Sequence, residues 1–216
     1  MLALTNIPAN VVAGQGEDGQ EQFIADLLAL RPQGQRWAIL LNTSGVSRKA
    51  PAFLLENDVG TVNVAQGCVC CSAQLEMRVA LNRLLKQMQP HRVLIGVSGA
   101  AKLGEVLRLL SDRWLAPVLD LRATLSVQDA TRLAGVSERL DDLEQERLAL
   151  CDVIAIRGSG AMSAAAVDRV ERVLAAGAPE AAMVHIDREP VLLAHLDRSS
   201  RGRSRSIFWR DDDGEK

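Results

Sequence analysis

The chain has 216 residues, a formal net charge of −2 and 48% hydrophobic residues, with no tyrosine and three residues each of Phe and Trp. This composition fits one compact α/β domain, whereas the small net charge and the scarcity of aromatic residues argue against nucleic-acid binding. No run approaches the roughly 20 apolar residues that cross a bilayer, and the N-terminus lacks a basic stretch followed by an apolar run. We therefore expect a cytoplasmic protein that does not bind membranes.

Short apolar runs alternate with amphipathic stretches along the chain. The runs predict strands over residues 7–13, 37–41, 61–64, 92–97, 124–127, 153–156 and 182–185. The amphipathic stretches predict helices over residues 20–30, 75–88, 103–110, 140–150 and 164–176. This alternation predicts an α/β fold with a doubly wound, mainly parallel sheet, whose strand-to-helix loops share one edge. We assign residues 1–196 to this domain and residues 197–216, an Arg/Ser segment followed by an acidic run, to a mobile tail.

The first strand-to-helix loop has the glycine spacing of a phosphate-binding loop. Gly14 and Gly19 fit the pattern G-x-x-x-x-G-K-[ST], but Gln20 replaces the lysine and Glu21 replaces the serine or threonine. In a working loop the lysine neutralises phosphate charge and the hydroxyl holds magnesium. Acidic residues here add negative charge instead, and two like charges 4 Å apart repel by roughly 4 kcal/mol at an effective dielectric of 20. We expect triphosphate binding to be weak; the spacing alone fits a flexible turn equally well.

Three of the four cysteines lie within four positions, at Cys68, Cys70 and Cys71. Thiolates select zinc or cuprous copper, and three of them leave a fourth zinc position open for transfer. In a reducing compartment this cluster favours metal binding over a structural disulfide, with thiol redox chemistry and inert packing as alternatives. Neighbouring side chains in extended backbone point to opposite faces, so the chain must turn for Cys70 and Cys71 to reach one metal.

Few other side chains are candidates for the metal. Glu76, His91 and His185 are possible fourth ligands, although a lone histidine is more often an ordinary hydrogen-bonded residue. Glu21 could ligate a metal at the degenerate loop, but an acidic residue in a first helical turn more often interacts with the helix dipole. The remaining cysteine, Cys151, lies in an apolar context and is predicted to be a core residue.

The segment Gly67-Cys68-Val69-Cys70-Cys71, after a degenerate phosphate loop and before an amphipathic helix, resembles the Gly-Cys-x-Cys-Cys signature of the CobW family of metal-handling P-loop GTPases. Segments 42–45, 97–101 and 127–130 resemble three further motifs of that family: its Asn-Glu-x-Gly switch, its Glu-Thr-[ST]-Gly-Leu-Ala-Asp-Pro motif and its Val-Val-Asp-Ala strand end. The motifs follow in the family's order over residues 7–193.

The chain departs from the family where the family acts on nucleotide. Thr43 replaces the switch Glu, Gly96 replaces the acidic residue of the second motif, and Lys102 with Leu103 replaces its Asp-Pro. Residues 157–160 replace the guanine-reading Asn-Lys-x-Asp, and an unpaired polar group of the base would cost about 1–3 kcal/mol there. Magnesium positioning, phosphate neutralisation and base reading are therefore all expected to be impaired.

The resemblance implies a P-loop NTPase fold without the family's C-terminal domain, and a pseudo-GTPase in which GTP and magnesium binding is lost or weak. It implies zinc or cobalt at Cys68, Cys70 and Cys71, and a role as metallochaperone, buffer or regulator that passes metal to a receiving protein. Two alternatives remain: a divergent GTPase that still hydrolyses GTP in metal-cofactor delivery, and a scaffold whose cysteines are incidental. The sequence does not determine the oligomeric state.

Overall fold

A parallel sheet runs through the part of the chain that the computed structural model describes, which is residues 5–14, 17–43, 59–65, 71–99, 102–135 and 140–200. Its seven strands lie in the order β3-β2-β4-β1-β5-β6-β7, and every neighbouring pair is parallel. The strands are β1 (Ile7–Gly14), β2 (Trp37–Thr43), β3 (Val59–Ala65), β4 (Arg92–Ser98), β5 (Leu119–Asp129), β6 (Val153–Arg157) and β7 (Ala182–His185).

Helices cover both faces of this sheet. They are α1 (Glu17–Leu28), α2 (Cys71–Met88), α3 (Leu103–Leu110), α4 (Ala130–Ala134), α5 (Asp142–Ala149), α6 (Ala164–Gly177) and α7 (Leu193–Leu196). The inward faces of α2 and α3 share one apolar cluster with β1 and β4, and those of α1 and α7 share another with β2 and β5. A third cluster joins α4, α5 and α6 to β6. The predicted doubly wound parallel sheet is confirmed.

Most predicted elements are present, although several bounds differ by two or three residues, and the larger differences concern β5, α2 and two short helices. β5 extends well beyond the predicted residues 124–127, because Asp120 and Arg122 form an ion pair with each other on one face while Leu119 and Leu121 are buried on the other. α2 begins at Cys71, four residues before the predicted start. The short helices α4 and α7 were not predicted. No helix in the described ranges has the length and apolar content to span a membrane.

Contacts with the sheet continue past Leu196, where we placed the end of the domain. The guanidinium of Arg92 forms an ion pair with Asp197, and Arg122 Nη1 donates to the main-chain oxygen of Asp197 at 3.2 Å. Ser199 forms an isolated antiparallel bridge with Arg122. The packed domain therefore reaches at least to residue 200, and residues 201–216 lie outside the described ranges.

Candidate nucleotide and metal site

The strands that precede the two candidate segments end at one edge of the sheet. Gly14, at the end of β1, pairs with Ser98 at the end of β4, and Thr43 pairs with Ala65 at the ends of β2 and β3. β3 is the last strand before α2, and its final residue, Ala65, is at the same edge. Since β3 and β1 are three strands apart, about 14 Å separates their ends. Cys68 and Cys70 lie outside the described residues, and Cys71 is the first residue of α2.

Gln20, which stands where a phosphate loop has its lysine, is turned into the protein. Its side chain is 1% exposed, and its Nε2 donates to the main-chain oxygens of Val12 at 2.5 Å and Val97 at 2.7 Å. Both amide hydrogens therefore bond to the two strands that flank the loop. Gln20 fastens α1 to β1 and β4 and presents no donor to a phosphate. Sequence comparison with the loop pattern identified the substitution but not this role.

Neighbouring side chains fill the space beside Gly96, which stands where the family has an acidic residue. A Cβ on Gly96 would lie 2.8 Å from Leu41 Cδ2 and 3.0 Å from Ile24 Cδ1. Gln20 Cδ would be only 3.7 Å from the same point. The space in which a carboxylate would project is thus occupied by core side chains, so a single substitution cannot restore that carboxylate unless Leu41 and Ile24 move.

Arg157, the last residue of β6, lies across the first turn of α1. Its Nη1 is 2.8 Å from where a Cβ on Gly19 would lie, so only glycine fits at position 19 with this arginine in place. Its Nε is 3.7 Å from Asp129 Oδ2. Burial raises the pKa of the Asp129 carboxyl, but hydrogen bonds from Thr131 and from the Arg132 amide, together with the charge of Arg157, outweigh it and lower that pKa overall. Asp129 is therefore ionised and caps α4.

The loop where the family reads guanine is closed by internal hydrogen bonds. Ser159 is buried, and its Oγ lies 2.8 Å from Nδ1 of His185, whose Nε2 lies 2.7 Å from Glu171 Oε1. The amide of Gly160 donates to Asp187 Oδ2 at 3.2 Å, so that carboxylate already has a main-chain donor. These contacts tie the β6–α6 loop to the end of β7.

A buried arginine supports the loop after β4. Arg147 on α5 is 2% exposed, and its Nη2 donates to the main-chain oxygen of Gly99 at 2.8 Å. Its Nε and Nη1 are buried and have no hydrogen-bond partner among the described residues. Burial lowers the pKa of its guanidinium, partly offset by the nearby charge of Glu144. The sequence carries no signal for this contact, because a single arginine on an amphipathic helix is usually solvated.

Two of the three candidate fourth ligands lie far from Ala65, the last residue of β3. His91 precedes β4 at the opposite edge of the sheet, about 20 Å away along the strands, and its Nδ1 accepts from the Arg36 amide at 3.0 Å. His185 ends β7, six strands or about 29 Å from β3. Glu76 is exposed on α2, five residues after Cys71, and remains a candidate. Within the described ranges no three His, Cys, Asp or Glu residues form a metal cluster.

Cys151 is a core residue, as predicted. It is buried beside α5, and its Sγ donates to the main-chain oxygen of Arg147 at 3.1 Å. Burial raises the pKa of this thiol to about 12, with the charge of Asp152 acting in the same direction. The thiol therefore stays protonated and does not resemble a metal ligand.

The strand order and the helix that follows Gly14 define the chain as a domain with the P-loop NTPase fold. Residues 8–185 match the family model described as CobW/HypB/UreG, nucleotide-binding domain, and the chain belongs to this family. It is similar to the zinc chaperone YeiR of Escherichia coli strain K12, with 32% identity over 145 residues, which are 67% of this chain and 44% of the relative. The chain therefore spans less than half the length of that relative.

Solved structures of other proteins share the fold. The Zn(II)-bound YjiA GTPase from E. coli superposes with a TM-score of 0.60 at 18% identity, over 88% of this chain and 61% of that one. The hydrogenase maturation factor HypB from Archaeoglobus fulgidus gives a TM-score of 0.55 at 14% identity, over 94% and 88% of the two chains. At these identities the likeness establishes the fold alone.

Proposed function

We propose that this chain is a non-catalytic, metal-binding member of the CobW family, which holds zinc through Cys68, Cys70 and Cys71 and passes it to a receiving protein. The observation that carries the non-catalytic part is the inward turn of Gln20, with both amide hydrogens bonded to Val12 and Val97. No lysine stands at the loop, and the space for a carboxylate at position 96 is filled. Phosphoryl transfer depends on such charges, so hydrolysis of GTP is not expected.

The metal-binding part is supported by the chemistry and the place of the cysteines. Three thiolates suit zinc, and an open fourth position suits transfer. Cys71 begins an 18-residue helix whose first turn has no acidic residue, and the positive end of a helix stabilises a thiolate over a thiol. The similar E. coli protein is named a zinc chaperone, and the YjiA structure is Zn(II)-bound. Cobalt, which accepts the same ligands, is the second candidate metal.

Metal analysis tests the proposal. Reduced protein, purified without chelator, should carry about one zinc per chain. A triple variant with Cys68→Ser, Cys70→Ser and Cys71→Ser should lose it, whereas Cys151→Ala should keep it because that thiol is buried in the core. Equal zinc in the triple variant and the unaltered protein would refute the cysteine site. Titration of apoprotein with Co²⁺, followed by thiolate charge-transfer absorption, tests the second metal.

Nucleotide titration separates the proposal from its two alternatives. A fluorescent GTP analogue with magnesium should show no saturable binding up to about 100 µM, which corresponds to a binding free energy weaker than about −5.5 kcal/mol. Saturable micromolar binding with hydrolysis would favour a divergent GTPase. Absence of both metal and nucleotide would favour a scaffold with incidental cysteines.

A further inference from the structure

The helix that follows the cysteines carries apolar residues on its solvent-facing side. Met77, Leu81 and Leu84 of α2 are buried, whereas Leu75 and Val79 are each 59% exposed. At about 100° per residue, Leu75 and Val79 are about 40° apart around the helix and nearly opposite its buried face. Leu75 and Val79 are therefore on the outward face of α2 and not at the margin of the hydrophobic core.

A third exposed hydrophobic side chain lies beside this face. Trp114 is 62% exposed, with the Arg113 guanidinium 4.9 Å from its ring centroid. The turn that carries Trp114 is attached to α2 by an ion pair between Arg78 and Asp112. Three of the four large hydrophobic side chains found exposed in the described ranges thus lie on or beside the first half of α2.

The charges on this side of α2 are complementary to those of a second copy of the helix that runs antiparallel to it. Glu76 lies before Val79, and Arg83 and Lys86 lie after it; all three are exposed, and no ion pair of theirs is found within the described ranges. Glu76 is about 4.5 Å along the axis on one side of Val79, and Arg83 is about 6 Å on the other. An antiparallel copy of the helix, related by a two-fold axis near Val79, would therefore place each Glu76 beside the other copy's Arg83.

We propose that the outward face of α2 is a homodimer interface, in which two chains pack antiparallel about a two-fold axis at Val79. Val79 of each copy contacts its equivalent, and Leu75 packs on the aliphatic stem of the other copy's Lys86. Glu76 pairs with the other copy's Arg83, and two-fold symmetry forms this pair twice. Trp114 flanks the helix pair. This interface does not depend on the proposed zinc site, because the two Cys71 residues would be about 24 Å apart along the helix axes, too far to share a metal.

The chain mass of 23.3 kDa makes the test direct. Sedimentation velocity of the unaltered protein between about 5 and 200 µM should show a concentration-dependent species of twice that mass. Val79→Asp should weaken dimerisation about tenfold or more without lowering the melting temperature of the monomer, since the side chain is exposed. Arg169→Glu, an exposed charge reversal on α6, is the matched control and should leave the dimer unchanged.

A charge-reversal cycle tests the antiparallel pairing. Glu76→Arg and Arg83→Glu should each weaken the dimer severalfold, and the double variant should recover most of the loss because opposite charges face each other again. A monomer at 200 µM, a dimer that survives Val79→Asp, or a double variant no better than its single variants would each overturn the proposal. Metal content should be the same in Val79→Asp and Arg83→Glu as in the unaltered protein, because neither residue is a candidate ligand.

Discussion

The Nε2 of Gln20 donates to the main-chain oxygen of Val97 at 2.7 Å, although 77 residues separate them in the sequence. This bond joins the first helix to the central strand β4, at the point where a working phosphate loop would extend a lysine away from the sheet. Together with the bond to Val12, it converts a ligand-binding position into a structural one. The substitution of lysine by glutamine is thus accompanied by a change in the direction of the side chain.

Removal of the Gln20 amide should destabilise the domain. Gln20→Met keeps the length of the side chain but removes both bonds to the carbonyls of Val12 and Val97, so the free energy of unfolding should fall by about 1–3 kcal/mol. Urea unfolding measures this change. Gln22→Met on the same helix removes an exposed bond to Asp26 and should change stability by no more than about 0.5 kcal/mol. Similar losses in the two variants would show that the buried hydrogen bonds of Gln20 contribute no more to stability than the exposed bond of Gln22.

Restoration of the loop residues alone should not restore nucleotide binding. A chain with Gln20→Lys and Glu21→Thr regains the charge and the hydroxyl, but the space beside Gly96 stays filled by Leu41 and Ile24, and the base loop stays closed. We expect fluorescent GTP with magnesium to bind no tighter than about 100 µM, close to the unaltered chain. Micromolar affinity in the double variant would show that the two replaced residues are the whole defect.

Two glycines provide a test of the packing at the position of the lost acidic residue. Gly96→Ala places a methyl group 2.8 Å from Leu41 Cδ2, and this overpacking should lower the free energy of unfolding by about 1–3 kcal/mol. Gly104→Ala meets its neighbours only at 3.6 Å and lies in helix α3, so it should be neutral or stabilise by up to about 1 kcal/mol. Chemical unfolding measures the stability of both variants. Equal stabilities would contradict the conclusion that side chains fill the space beside Gly96.

At the opposite edge of the sheet, Arg92 has two partners of different burial. Its Nη1 donates to Oδ1 of buried Asn10 at 2.6 Å, and Asn10 Nδ2 in turn donates to the carbonyls of Ala123 at 2.9 Å and Leu196 at 2.8 Å. Asn10→Ala leaves a buried charge and two carbonyls without this partner, so we expect a loss of about 2–4 kcal/mol. Asp197 is largely exposed, and Asp197→Ala should cost at most about 1 kcal/mol. If the ion pair with Asp197 dominates, thermal unfolding would show a larger loss of stability for Asp197→Ala than for Asn10→Ala.

The sequence predicts the sheet well because its central strands are buried on both faces and read as apolar runs. All seven residues of β4, for example, are buried. It fails on the first half of β5, where Asp120 and Arg122 interrupt the apolar run, and on the start of α2, where residues 71–74 have no apolar periodicity. The glycine spacing of the candidate site can also be recognised in the sequence. The burial of Gln20 and the packing at Gly96 cannot be predicted from it, because they depend on contacts between residues far apart in the sequence.

The buried thiol of Cys151 should make stability depend on alkaline pH. Burial raises its pKa from 9.0 to about 12, so the thiol is protonated in the folded chain while the unfolded chain ionises above pH 9. The contribution of the buried, protonated thiol to the free energy of unfolding is fully present below pH 9. It is lost as pH rises from 9 towards 12, at about 1.4 kcal/mol per pH unit.

The stability difference between the unaltered protein and Cys151→Ala should therefore shift in favour of the variant between pH 9 and 10.5, measured by urea unfolding under reducing conditions. Below pH 9 that difference should be constant, because the thiol is protonated in both the folded and the unfolded chain. Thiol labelling of the triple cysteine variant at pH 8 gives an independent check: Cys151 should react only after unfolding. A difference that is constant from pH 8 to 10.5, or rapid labelling of the folded variant, would show that the thiol is accessible to water.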